Sequence, residues 1–111
     1  MKTLYISVPV KGKSIIDVCN TMTTLQKVAE HIFEEELDPV GDFNVVDLEH
    51  DGLDVLARHI ARLREADYFI GMQTGCLDRI CAAETAVSSI YQIPRVLVDP
   101  DNFHLVLEVH R

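Results

Sequence analysis

Hydrophobic positions along the chain switch between two periods, and the switches divide it into alternating strands and helices. "TLYISVPV" (3–10) is a β-rich apolar run ended by Pro9 and Gly12, which predicts a buried first strand. Ser14 then opens a helix, with Asp17 three residues on as an acidic variant of the capping box. Its stripe is Ile15, Val18, Met22, Leu25, Ala29 and Ile32, at spacings of three and four, and the helix is expected to end near "EEELDPVG". "FNVVDL" (43–48) is expected to be a second strand. Asp51 is placed to cap a second helix with the stripe Leu53, Leu56, Ile60 and Leu63. "DYFIGM" (67–72) predicts a third strand, continuous enough for burial on both faces. A third helix carries Ile80, Ala83, Val87 and Ile90, and "RVLV" (95–98) follows Pro94 as a fourth strand. "FHLVLEVH" (103–110) reads as a fifth strand, although its mixed pattern also permits a short helix.

The alternation runs through all 111 residues without repeats, linkers or low-complexity segments, which implies one domain over 1–111. The expected fold is α/β: a doubly wound, flavodoxin/Rossmann-like domain with a mainly parallel sheet of about five strands in the order 2-1-3-4-5. The switch point of that order lies between strands one and three. Loops Ser7–Lys13 and Gln73–Asp78 then face each other across one crevice, where ligands of such sheets bind.

The formal charge of −8 argues against nucleic acid or an anionic membrane surface as the main partner, since either would be repelled. A small anionic ligand remains compatible, because local backbone amides can outweigh the overall field. No apolar run is long enough to cross a bilayer, and the first residues lack the pattern of a signal peptide. Three cysteines, Cys19, Cys76 and Cys81, in a chain able to bury its own core suggest a reduced, cytoplasmic protein.

Four features are candidates for chemistry. "SVPVKGKS" (7–14) nearly spells a phosphate-binding loop, with Gly12, Lys13 and Ser14 as its tail. Ser7 replaces the first glycine, however, and Pro9 removes an amide donor, which favours a plain turn and helix cap. The histidines (31, 50, 59, 104 and 110) form no His-x-x-x-His pair and the cysteines no Cys-x-x-Cys pair, so neither a metal nor another cofactor is called for. His59 stands at the edge of the second helix's stripe, either as a packing residue or against a ligand. Cys76 lies in the crevice loop, but the position five residues beyond its neighbour that a phosphatase arginine would occupy is Ala82, so a half-buried thiol is the better reading.

Two acids remain in "TGCLDRICAAETA" (74–86). Asp78 is placed to cap the third helix. Glu84 lies about 40° from Ile80 and about 60° from Val87 around that helix, at the border of its core-facing stripe. It is either a rim glutamate making a structural hydrogen bond or an acid poised to attack a sugar carbon, as carboxylates do in glycoside chemistry.

Three segments together resemble the nucleoside 2-deoxyribosyltransferase superfamily, which includes nucleotide N-glycoside hydrolases and short bacterial and phage members. "YISVPVKG" (5–12) is similar to its first strand and loop, and "ARHIARLREADYFIG" (57–71) to its helix and third strand. "DRICAAETAVSSIYQIPRVLV" (78–98) is similar to the segment in which an aspartate precedes the nucleophilic glutamate by six residues. The resemblance implies that Glu84 attacks C1′ of a nucleoside or nucleoside 5′-monophosphate, and that Asp78 helps bind and protonate the base. It implies that Tyr5 shapes the sugar site, with Ser7, Pro9 and Gly12 in the substrate loop and Lys11 or Lys13 near any phosphate. It also implies a homo-oligomer, a dimer or larger. Val8 stands where the family usually has glycine, and His59 where many members have an aspartate that contacts the base. These departures motivate an alternative, a nucleoside- or nucleotide-binding module of the same fold without turnover.

Overall fold

The computed structural model describes residues 1–9, 12–40, 52–73 and 79–110. Its elements are β1 (Lys2–Ser7), α1 (Ile15–Phe33), β2 (Leu37–Val40), α2 (Leu53–Leu63), β3 (Tyr68–Met72), α3 (Arg79–Ile90), β4 (Arg95–Val98) and β5 (Leu105–Val109). The sheet runs β2-β1-β3-β4-β5, the order expected. The first four strands pair in parallel, and β5 returns antiparallel along β4, with a register irregularity beside Leu97 and Val98. The final segment is thus a strand, not a helix.

Two expectations need correction. β1 ends at Ser7, and not at residue 10. Pro9 explains the early stop: it has no N–H for a ladder and restricts the residue before it. The second strand of the described structure is Leu37–Val40, within the stretch read as the end of the first helix; residues 43–48 lie outside the described residues. The helix stops because Glu34 turns left-handed (φ 58°) and its N–H bonds back to the Glu30 carbonyl. Glu30 then captures the Leu37 amide at 2.9 Å, and the Gln26 side-chain amide donates to the Leu37 carbonyl at 3.2 Å. Side chains of α1 thereby aim the chain into the sheet within three residues of the helix end.

At the start of α1 the expected cap is present: the Ser14 hydroxyl accepts from the Asp17 amide at 3.1 Å. The N-cap of α2 is Gly52, without a side-chain hydrogen bond; Asp51 lies outside the described residues.

Successive residues of β1 face opposite sides of the sheet. Leu4 and Ile6 join Leu25 and Ala29 of α1, Leu37, Ile70, Val96 and Val98 in one buried cluster. Tyr5 faces the other way and packs with Leu63, Phe69 and Leu97, flanked by Ile60 and Val87. The two layers follow from topology, because right-handed crossovers on a 2-1-3-4 order place α1 opposite α2 and α3.

The α1 stripe holds at Val18, Leu25 and Ala29, whereas the stripes of α2 and α3 depart from expectation at their ends. In α2, Val55 and Leu63 are buried, while Leu53 is 84% exposed. In α3, Ile80, Cys81, Glu84 and Ser88 are buried, while Ile90 is 71% exposed. A glutamate therefore occupies the middle of a buried helix face.

Leu25, fully buried at the centre of the α1 layer, is the sensitive point of that core. Leu25→Ala is expected to lower unfolding stability by about 3 kcal/mol, as large-to-small core changes do. Urea denaturation followed by circular dichroism measures it, and a loss below about 1 kcal/mol would contradict this packing.

Candidate active site

Glu84 is 2% exposed, and three side chains from two other elements converge on its carboxylate. From β1, the Tyr5 hydroxyl donates to Oε2, and the Ser7 hydroxyl donates to Oε1 at 2.8 Å. From α2, His59 Nδ1 lies 3.1 Å from Oε2. Tyr5 and Ser7 can act together because residues two apart on a strand share a face. His59 reaches them because α2 lies beside α3 on that layer.

Burial fixes the state of the Tyr5 hydroxyl. Burial raises the Tyr5 hydroxyl pKa far above its ordinary value, and the negative charge of Glu84 and the hydrogen bond to it push the same way. Tyr5 accordingly stays a neutral donor throughout the physiological range. Its ring is held by offset stacking on Phe69, with centroids 6.0 Å apart and planes within 2°. The His59 side chain is 12% exposed and forms an ion pair with Glu84 when protonated.

Gly71 of β3 sits directly across the ladder from Ser7. A Cβ at that position would lie 3.0 Å from the Phe69 ring and 3.5 Å from the Ser7 Cβ. Glycine here lets the Phe69 ring keep its place, whereas the Ser7 contact would be an ordinary one. A glycine inside a strand is a sequence signal for such close approach, and Gly71 in "DYFIGM" carried it.

Of the residues expected at the site, Tyr5, Ser7, His59 and Glu84 are brought together. Asp78 and Cys76 lie outside the described residues. Pro9 is half-buried and lines a cavity of about 530 Å³ with Val8, Lys13 and Phe103, on the α1 side of the sheet. Val8 packs against the α1-side cluster, on the layer opposite Glu84. Gly12 is exposed with φ 76°, a left-handed turn position suited to glycine, and an added Cβ would meet nothing within 4 Å. The Ser14 hydroxyl is committed to its helix cap.

A second cavity, of about 320 Å³, is lined by Gly52, Leu53, Leu56, Arg79 and Ile80. Leu56 and Ile80 precede His59 and Glu84 by about one helical turn, which places the cavity toward the carboxyl ends of the strands, although none of the four clustered side chains lines it. Among the described residues no group of three or more His, Cys, Asp or Glu side chains could hold a metal ion, and no helix is long and apolar enough to cross a membrane.

No family model, curated protein or solved structure matches this chain. The chemistry of the site therefore has to be argued from its own atoms.

The Glu84 carboxylate accepts from the Tyr5 and Ser7 hydroxyls, and His59 Nδ1 lies within hydrogen-bonding distance of Oε2. Tyr5→Phe removes one of these donors and is expected to cost about 1.5–3 kcal/mol, the range for hydrogen bonds to charged groups. The linkage has a clear sign. Tyrosine in the unfolded chain ionises near 10, whereas folded Tyr5 holds its proton to higher pH, so wild-type stability falls as pH rises above about 10. In Tyr5→Phe that fall should be shallower. Urea unfolding from pH 8 upward checks both effects, and parallel pH profiles for the two proteins would contradict them.

Proposed function

We propose that this protein cleaves or transfers the N-glycosidic bond of a nucleoside or nucleoside 5′-monophosphate, with Glu84 as nucleophile. The observation that carries this reading is the convergence of Tyr5, Ser7 and His59 on one buried carboxylate, about one helical turn from a cavity lined by Leu56 and Ile80. Tyr5, Ser7 and Glu84 are also residues that the sequence resemblance singles out, so two separate arguments favour the same cluster.

In the proposed reaction a Glu84 oxygen attacks C1′ and the C1′–N bond breaks, its electron pair leaving with the base, which takes up a proton. The product is a glycosyl ester on Glu84. Water or a second base then attacks C1′, releases the carboxylate and gives up a proton, so the enzyme returns to its starting state. Tyr5 and Ser7 orient the two carboxylate oxygens. The hydrogen bond from Tyr5 must weaken as Oε2 becomes an ester oxygen and strengthen again on its release. Asp78 is the proposed proton donor to the departing base, by the resemblance. His59 beside Oε2 replaces the family's aspartate and favours a base edge different from that recognised by a carboxylate.

A second reading has its own support. Both Glu84 oxygens are occupied by donors within the protein, the arrangement of a structural carboxylate, and this favours a nucleoside-binding module without turnover. Incubation with a panel of nucleosides and 5′-monophosphates, with and without a second base, separates the two by chromatography of free and exchanged base. Glu84→Gln is expected to lower base release by about three orders of magnitude or more while the circular dichroism spectrum is kept. Ligand binding without release from any substrate would select the binding module, and full activity in Glu84→Gln would exclude Glu84 as nucleophile.

A further inference from the structure

The cavity of about 530 Å³ on the α1 side of the sheet has no part in the chemistry proposed for Glu84. Its lining includes Val8 just beyond β1, Met72 at the end of β3 and Pro100 just beyond β4. It therefore lies at the carboxyl ends of the strands, where doubly wound sheets bind their ligands. Val8, Met72 and Phe103 also pack against the buried α1-side cluster, so part of the lining is apolar and anchored in the core.

The rest of the lining carries charge of both signs. Lys13 stands just before the Ser14 cap, Asp17 lies in the first turn of α1, and Asp101 lies between β4 and β5. All three are exposed, and among the described residues none of them forms an ion pair. Phe103, in the same connection as Asp101, adopts φ 59°. Bulky side chains seldom take this left-handed conformation, and residues that do so concentrate at functional and ligand sites. The connection is held by its own hydrogen bonds: Phe103 N–H donates to the Asp99 carbonyl and Asp101 N–H to Asp99 Oδ1, both at 2.8 Å. One short segment thus delivers an aromatic ring and a carboxylate to the same cavity.

We propose that this cavity binds a free α-amino acid with an apolar or aromatic side chain. Each part of the lining answers one part of such a ligand. Asp17 and Asp101 receive the ammonium group, and Lys13 takes the carboxylate, helped by the positive end of α1. Phe103, Met72 and Val8 receive the side chain. The charges favour a zwitterion. A carboxylate without an amine meets two uncompensated acids, and an amine without a carboxylate meets Lys13 as a like charge. A phosphate ester fits worse, because Lys13 alone would have to offset its double charge beside Asp17 and Asp101. The cavity faces away from Glu84, so its ligand is independent of the reaction proposed there.

Nuclear magnetic resonance titration of the full chain gives affinity and location together. L-Phenylalanine is expected to bind, with shifts of the Val18, Thr21, Met72 and Phe103 amides. Gln92 and Ile93, at the opposite ends of the strands, should stay unchanged. Phenethylamine and 3-phenylpropionate, each lacking one of the two charges, are expected to bind about tenfold more weakly. Asp101→Asn and Lys13→Gln, both at exposed positions, should weaken L-phenylalanine by about tenfold while the circular dichroism spectrum is kept. Absence of binding by both L-phenylalanine and L-leucine at about 10 mM would overturn the proposal. So would equal affinity for either analogue, undiminished affinity in either variant, or shifts confined to residues outside the cavity.

Discussion

Removing a carboxylate from water costs several kcal/mol unless hydrogen bonds and nearby charge replace the lost solvation. At Glu84 the replacement comes from Tyr5 and Ser7 on β1 and from His59 on α2. The carboxylate therefore ties α3 to the central strand and to the neighbouring helix. These side chains depend in turn on further packing: Tyr5 on the Phe69 ring, which itself needs glycine at position 71, and His59 on the seating of α2 through Val55 and Leu63. A cluster with no unsatisfied buried polar atom among the described residues is compatible with a stable core, and it leaves a charged group at the ligand-binding end of the sheet.

The same arrangement carries the functional argument. Doubly wound sheets bind ligands at the carboxyl ends of their strands, near the switch point, and β1 and β3 flank that point here. Tyr5 and Ser7 lie on β1, and the cavity beside Leu56 and Ile80 opens one turn from His59 and Glu84. On the opposite layer, Val8 and Pro9 border a separate cavity with Lys13 and Phe103. Because side chains alternate along β1, Tyr5 and Ser7 turn to the Glu84 layer, while Val8 packs on the α1 side beside a mixed lining that includes Lys13, Asp17 and Asp101.

The outer parts of the sheet obey a different constraint. β2 is aimed by Glu30 and Gln26 of α1 and is closed to further pairing by its own composition. β5 is the one antiparallel strand, reached through a turn in which Phe103 adopts φ 59° and the Asp99 and Asn102 side chains accept backbone amides. With no helix crossover after β4, the chain returns as a hairpin and ends the sheet on an apolar edge.

The sequence by itself determined the alternation of strand and helix, and with it the α/β class and the strand order. Those follow from local period and from the handedness of crossovers, which need no knowledge of contacts. It also marked Glu84 as oddly placed and Tyr5, Ser7 and His59 as candidates. The end of α1 near "EEELDPVG" was legible, but only the tertiary structure decided that Leu37–Val40 becomes a strand, because the Glu30 and Gln26 bonds to Leu37 exist only once α1 packs on the sheet. Helix rotation was also beyond the pattern. Hydrophobicity alone turned Ile90 inward, whereas α3 leaves it exposed and buries Glu84 and Ser88. A pattern of apolar residues scores every glutamate as outward-facing, and only partners 77, 79 and 25 residues away in the chain could make the inward rotation the stable one.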